Sequence, residues 1–408
     1  MNPSTRSSLV RRWHGAWATA LAGSLLATLL VACGGGGGGG DGPTAGAGTT
    51  TAQSFASGPI SGLGSIIVNG VRFDDSTARI EDDDDGSTHT SRELKLGMMV
   101  EVHSSAINEG SARAAATLVR FGSEITGPVA AKDVAAQTLR VLDQTVEVRT
   151  NTVFDDSLAG GFAALSIGQV LEIHALFDPS TGHYVATRIE DKTGALLLRL
   201  RGRISALDSG VRTFKIGDAV INYGSVPAVD LPTLANGLRV RVRLQTAPVA
   251  GQWVAVSVRT GMRRVEDFAD ARVRGLVTAF TSPQQFEVQG VPVDASAAVF
   301  APNAAAVQLG SLVEVRGRAA SGTITASRVR VIDRDDDEWQ RVELHGDVSA
   351  LDGVAQTFML REVKVNYSRV LEWRDGRPAD LANGKALEVQ GVWSEDRRVL
   401  FAVVVEFE

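Results

Sequence analysis

The residues whose types and spacing could do chemistry fall into two groups of opposite charge. Leu198-Arg199-Leu200-Arg201 and Arg239-Val240-Arg241-Val242-Arg243 alternate arginine with an aliphatic residue. In an extended chain successive side chains point to opposite faces, so Arg199, Arg201, Arg239, Arg241 and Arg243 would line one face and the aliphatic residues the other. A row of guanidinium groups suits an anionic envelope glycan, lipopolysaccharide or the acidic face of a neighbouring repeat. The plainer reading is a wet sheet face whose arginine stems cover apolar surface. The acidic group is Glu81-Asp82-Asp83-Asp84-Asp85-Gly86. Asp82, Asp83, Asp84 and Asp85 offer the oxygens that calcium takes, but the twelfth position from Glu81 is Arg92 where an EF-hand needs glutamate. A solvated connecting loop is the alternative. A second acidic run, Asp333–Glu338, is expected to be a polar linker.

Nothing in the remaining chemistry-bearing residues singles out a catalytic centre. His89, His103, His174, His183 and His345 are scattered without metal-ligand spacing, and no Gly-x-Ser-x-Gly elbow is present. Trp253, Trp339, Trp373 and Trp393 could line a sugar site, but single tryptophans beside strands more often pack. No enzyme and no resident cofactor is expected, calcium on the acidic loop apart; an unrecognised envelope hydrolase is the rival.

The amino terminus reads as a targeting segment. Arg6, Arg11 and Arg12 precede an apolar run from Ala16 to Ala32, and Leu30-Val31-Ala32-Cys33 resembles the lipobox of bacterial lipoproteins. That resemblance implies acylation of Cys33, the single cysteine, and, with Gly34 next, an outer-membrane destination. An uncleaved membrane anchor fits less well, because the run falls short of the roughly 20 residues a span needs. Gly34–Gly40 and the Gly, Thr, Ala and Pro that follow cannot bury apolar surface and should form a flexible tether. The net charge of −6 grows more negative once a leader with three arginines and no acids is removed. Such a chain is a poor polyanion binder, and nucleic acid is not an expected partner.

From Phe55 onward one unit recurs at a period of about 70 residues, the signature of a repeat architecture. Its most regular piece is a glycine followed by strict alternation: Gly97-Met98-Met99-Val100-Glu101-Val102, Gly168-Gln169-Val170-Leu171-Glu172-Ile173, Gly237-Leu238-Arg239-Val240-Arg241-Val242, Gly310-Ser311-Leu312-Val313-Glu314-Val315 and Gly384-Lys385-Ala386-Leu387-Glu388-Val389. Two strands containing Phe214, Phe286 and Phe358 precede it in later copies, on a face expected to be core. A segment too short for more than a helical turn or two comes between, and a strand beginning with alanine ends each unit. Five short strands with that insertion fit an OB-like barrel, whose closure removes exposed edges. If the last two strands form a hairpin centred on Ser180, Ser321 or Val249, then Glu172 faces Arg188, Glu314 faces Arg328 and Arg241 faces Ser257. The first two would be outward ion pairs; Glu101 and Glu388 would face Leu118 and Val404.

The opening glycines and the Leu/Val-Glu-Val strands resemble the bacterial DUF5666 family, found in tandem in exported lipoproteins. The resemblance runs from Phe55 to the carboxyl terminus and implies small β-barrels in a cell-envelope setting, with no catalytic residue to transfer. Arg241 departs from it by replacing the glutamate. The expected organisation is all-β: a signal peptide (1–32), a disordered Gly-rich tether (33–54) and five tandem OB-like β-barrels at 55–121, 122–195, 196–266, 267–336 and 337–408. The expected role is a lipid-anchored binding or structural spacer module of the envelope.

Overall fold

The computed structural model describes residues 53–408 except 159, 261–264, 334–340, 362 and 395–398. The leader, Cys33, nearly all of the tether, Trp339 and residues 334–338 of the junction run lie outside the described residues. Among those described, no helix is long and apolar enough to cross a membrane.

Each repeat is a five-stranded barrel closed in one order: first strand to second, second to third, third parallel to fifth, fifth to fourth, and fourth back to first. In repeat three the strands are Leu198–Asp208, Thr213–Ile216, Ala219–Asn222, Arg239–Leu244 and Trp253–Thr260. The ladder closes because Ile221 lies beside Trp253 and Leu198 beside Leu244. The same circuit is made in repeats one, two, four and five. Alternation places Phe214, Phe286 and Phe358 inside, each buried. The connectors between third and fourth strands contain single turns such as Ser91–Glu93, Ala228–Asp230 and Ala304–Ala306, one four-residue α-helix, Gly161–Ala164, and in repeats four and five a short strand, Val299–Ala301 or Glu372–Arg374, that runs parallel to the fifth strand. Repeat one adds a small hairpin there, Arg79–Asp82 against Thr88–His89, whose tip is the acidic run.

The barrels are not separate beads. The first strand of repeat one, Ser54–Leu63, runs parallel to the first strand of repeat four at its start and to that of repeat five at its end. The first strands of repeats two and three pair antiparallel, Arg199 beside Thr126 and Leu200 beside Ile125. Met99, Leu176, Val185, Leu276, Leu312 and Ile332 form a buried cluster where repeats one, two and four meet. Phe55 of repeat one stacks on Phe268 of repeat four with ring centroids 5.4 Å apart.

The register of the fourth and fifth strands corrects the expected ion pairs. Glu172 faces Glu190 rather than Arg188, Glu314 faces Arg330 rather than Arg328, and Arg241 faces Arg259 rather than Ser257. Glu101 faces Arg120 and Glu388 faces Glu406. Two shifts of one residue cause this. The turn is centred between residues, as at Ser321-Gly322, where both φ angles are positive (53° and 82°), the geometry favoured for a two-residue hairpin turn. The second shift is a β-bulge that leaves one residue of the fifth strand unpaired in every repeat: Thr117, Thr187, Val256, Ser327 and Val403. Each follows a buried alanine, so the repeated alanine marks the bulge. Because side chains alternate with period two, the shifts together preserve the face while moving the partner. Glu314 thus bonds Arg330 at 2.8 Å and Arg316 at 2.9 Å, and although it lies on the outer face of its barrel it is buried.

A double-mutant cycle reads this register directly. Glu314→Ala and Arg330→Ala should couple by about 0.5–1 kcal/mol in urea unfolding, whereas Glu314→Ala and Arg328→Ala should simply add. Coupling to Arg328 instead would restore the unbulged register.

Candidate functional site

The arginine rows of repeat three lie on neighbouring strands, in register. Arg199 stands opposite Arg243, Arg201 opposite Arg241 and Arg203 opposite Arg239, and Arg259 extends the middle row. Their aliphatic neighbours Leu198, Leu200, Val240, Val242 and Leu244 fill the barrel interior. Like charges directly opposite destabilise a sheet, so this face needs anions.

The anions come from repeat one. The hairpin tip closes with Asp82 N–H donating to the Ser87 carbonyl and Gly86 N–H to the Asp82 carbonyl, at 3.0 and 2.9 Å. This directs the run onto the arginines. Asp83 takes Arg201 in a two-pronged bond, Nη1 to Oδ2 at 2.7 Å and Nη2 to Oδ1, a geometry in which charge-assisted bonds are strongest. Its carbonyl accepts from Arg241 Nη1, and the Asp84 carbonyl accepts from Arg259 Nη1 at 3.1 Å. Asp84, itself buried, lies 3.1 Å from Arg199 and 3.6 Å from Arg243, and Asp82 lies 3.5 Å from Arg199. Burial disfavours the charge on Arg201, but Asp83 outweighs it and holds that guanidinium above its usual range. Burial pulls Arg241 the other way. Asp85 turns away: it is exposed and accepts the Ser87 N–H at 2.9 Å.

The two groups read from the sequence as separate candidate sites therefore meet each other, and the carboxylates of Asp82, Asp83 and Asp84 face guanidinium groups. Arg239 instead reaches Glu124 of repeat two at 3.2 Å and the Gln289 carbonyl of repeat four at 3.0 Å. Arg203 pairs with Glu287 of repeat four. Gly122 and Glu124, between repeats one and two, carry no pattern that would have flagged them. A β-carbon on Gly122 would overlap the Asp83 carboxylate and come within 2.7 Å of the Arg201 guanidinium, so only glycine lets that pair close.

The network continues into repeat two. Glu172 bonds Lys192 at 2.8 Å and lies 3.6 Å from Arg199, while Arg188, expected as its partner, bonds Glu190 at 2.5 Å. Burial alone would raise the Glu172 carboxyl, but His174, Lys192 and Arg199 outweigh it and bring it down to about 2. His174 is fully enclosed, its Nδ1 lying 3.3 Å from the Met99 nitrogen and 3.2 Å from the Gly122 oxygen, and burial pushes its imidazole down. His103 packs against the rings of Phe55 and Phe268 and is likewise pushed down by burial. Of the tryptophans, Trp253 is buried and donates to Asp143 at 2.9 Å, and Trp373 packs on Tyr367 and Phe407.

Sequence spacing also missed a cluster between repeats one and five. Glu343, His345 and Glu388 bring ligand-type atoms within 4.8 Å of one another, as a metal site would. Arg72 already stands among them, 3.2 Å from Glu343 and 3.1 Å from Glu388 and in contact with the His345 ring, whose Nδ1 meets Glu408 at 2.7 Å. The guanidinium supplies the positive charge there. A divalent ion would first have to displace it.

Because the folded state favours the charged form of Glu172, its contribution to stability is complete above its ordinary value of 4.5 and disappears as the pH falls toward 2. The difference in urea midpoint between the wild type and Glu172→Gln should narrow from about pH 5 to about pH 2.5. A difference that does not change over this range would remove Glu172 from the network.

Comparison with known proteins fits this picture. The family model DUF5666, a domain of unknown function, matches residues 57–116, 126–190, 274–330 and 345–406. These segments are repeats one, two, four and five. The unmatched third barrel closes in the same strand order but carries Arg241 where the others carry Glu101, Glu172, Glu314 and Glu388. Among curated proteins, none matches the chain. A solved structure, drosophila Unr CSD456, is similar at 12% identity over 51% of this chain and 96% of that one, with a TM-score of 0.13, a likeness too slight to carry weight. With four repeats spanning more than half of its length matched, the chain belongs to the DUF5666 family.

Proposed function

We propose that this protein is a lipid-anchored envelope protein whose barrels form one non-catalytic body, acting as a binding or spacer module held from the membrane by Cys33 and the glycine tether. The observation that carries this reading is the closure of the arginine face by the chain's own acidic loop. The arginine rows of repeat three are directed inward, to holding repeats one, two and three together. Ligand recognition on that face would first have to expel Asp83 and Asp84 from guanidinium partners that are themselves largely shielded from water. A glycan receptor of this design would leave its arginines open; a spacer would cross-link them. The Arg72 cluster follows the same pattern between repeats one and five.

The reading makes a joint prediction. The full chain should fractionate with membranes and a variant made without residues 1–33 should not. That soluble variant should bind neither anionic envelope glycans nor lipopolysaccharide, and calcium should leave its melting temperature unchanged. Saturable glycan binding that disappears in Arg239→Ala plus Arg241→Ala would make repeat three a receptor and overturn the spacer reading.

A further inference from the structure

A cleft of about 570 Å³ opens where repeats one, two and five meet, and none of the interactions described above fills it. Its size falls within the range of small-molecule sites. The floor is aliphatic: Leu63, Leu94 and Leu96 from repeat one and Leu158 from repeat two, all buried side chains that face the cleft. The walls carry Arg92 and Lys95 of repeat one and Arg361 and Lys364 of repeat five, against Asp155 and Asp156 of repeat two. Arg188 stands at the back but is committed to Glu190 and to the Leu96 carbonyl. Among the described residues, cations thus outnumber acids around an apolar floor, in a chain whose net charge is −6.

Trp393, at the end of the fourth strand of repeat five, adds an aromatic side chain to the cleft wall.

We propose that this cleft binds a small anionic amphiphile, its hydrocarbon portion on the leucine floor and its carboxylate or phosphate head among Arg92, Arg361 and Lys364. A nonpolar ligand would leave the cations unmatched, and a purely polar anion would leave the leucines wet. The inference rests on the cleft alone and stands whether or not the barrels act as a spacer.

The test is calorimetric titration of the chain made without residues 1–33 with decanoate, decyl phosphate and uncharged 1-decanol, below their micelle or solubility limits. At least one of the two anions should bind saturably, and at least tenfold more tightly than 1-decanol. Reversing the exposed wall charges in Arg92→Glu plus Lys364→Glu should weaken that anion at least tenfold, whereas Lys215→Glu, in repeat three, should not. Leu158→Trp, which fills the floor, should abolish binding of every alkyl probe. Equal affinity for 1-decanol, indifference to the charge reversal, or no saturable binding of either anion would overturn the proposal.

Discussion

Three pairs of arginines standing directly opposite one another on two strands are the constraint on which the arrangement of barrels depends. Left to itself, that face of repeat three would be destabilised by its own charge. Asp82, Asp83 and Asp84 from repeat one and Glu124 and Glu172 from repeat two bring negative charge to it, at donor–acceptor distances that make hydrogen bonds of several of the pairs. Buried pairs of this kind are costly to break one partner at a time, because the survivor is left as an uncompensated charge. Repeats one and three, far apart in sequence, are thereby held together, and the parallel strand pairing of repeat one with repeats four and five extends the same body.

The fold was legible in the sequence because its signals are local. Glycine-led alternating strands, the interior phenylalanines and the short connectors all repeat at a fixed period, and each needs only a few residues to be read. Partner choice across the last hairpin was not legible. It depends on whether the turn is centred on a residue or between two, and on one bulged residue after the buried alanine. The two shifts together keep opposed side chains on one face, so alternation gave the correct face of Glu314 and Glu172 and the wrong partners. The alanine before each bulge was visible as a repeated residue, but its role is clear only from the ladder.

The candidate site was legible as composition and not as contact. Both the arginine rows and the aspartate run stand out by charge and spacing, and the acidic face of a neighbouring repeat was among the partners those arginines suit. Nothing local says which loop arrives. Gly122 is informative in retrospect, since its missing side chain makes room for Asp83, yet a glycine between two repeats looks like any linker glycine. His345 appeared isolated because Glu343, Glu388 and Arg72 reach it from strands of two different repeats. The exchange of glutamate for Arg241 in the third barrel acquires a reason: a strand that must accept an acidic loop carries the complementary charge.

The most direct test of the arginine–aspartate closure is a charge swap at its two-pronged pair, read as the unfolding free energy of the soluble chain in urea. Arg201→Asp alone should cost about 3–5 kcal/mol, because it sets two carboxylates together in a shielded site. Adding Asp83→Arg to that variant should restore at least half of the loss by rebuilding the pair with its polarity reversed. If the double variant is instead as unstable as the sum of Arg201→Asp and Asp83→Arg made separately, the two residues do not meet in the folded protein, and the closure of the arginine face by the acidic loop is contradicted.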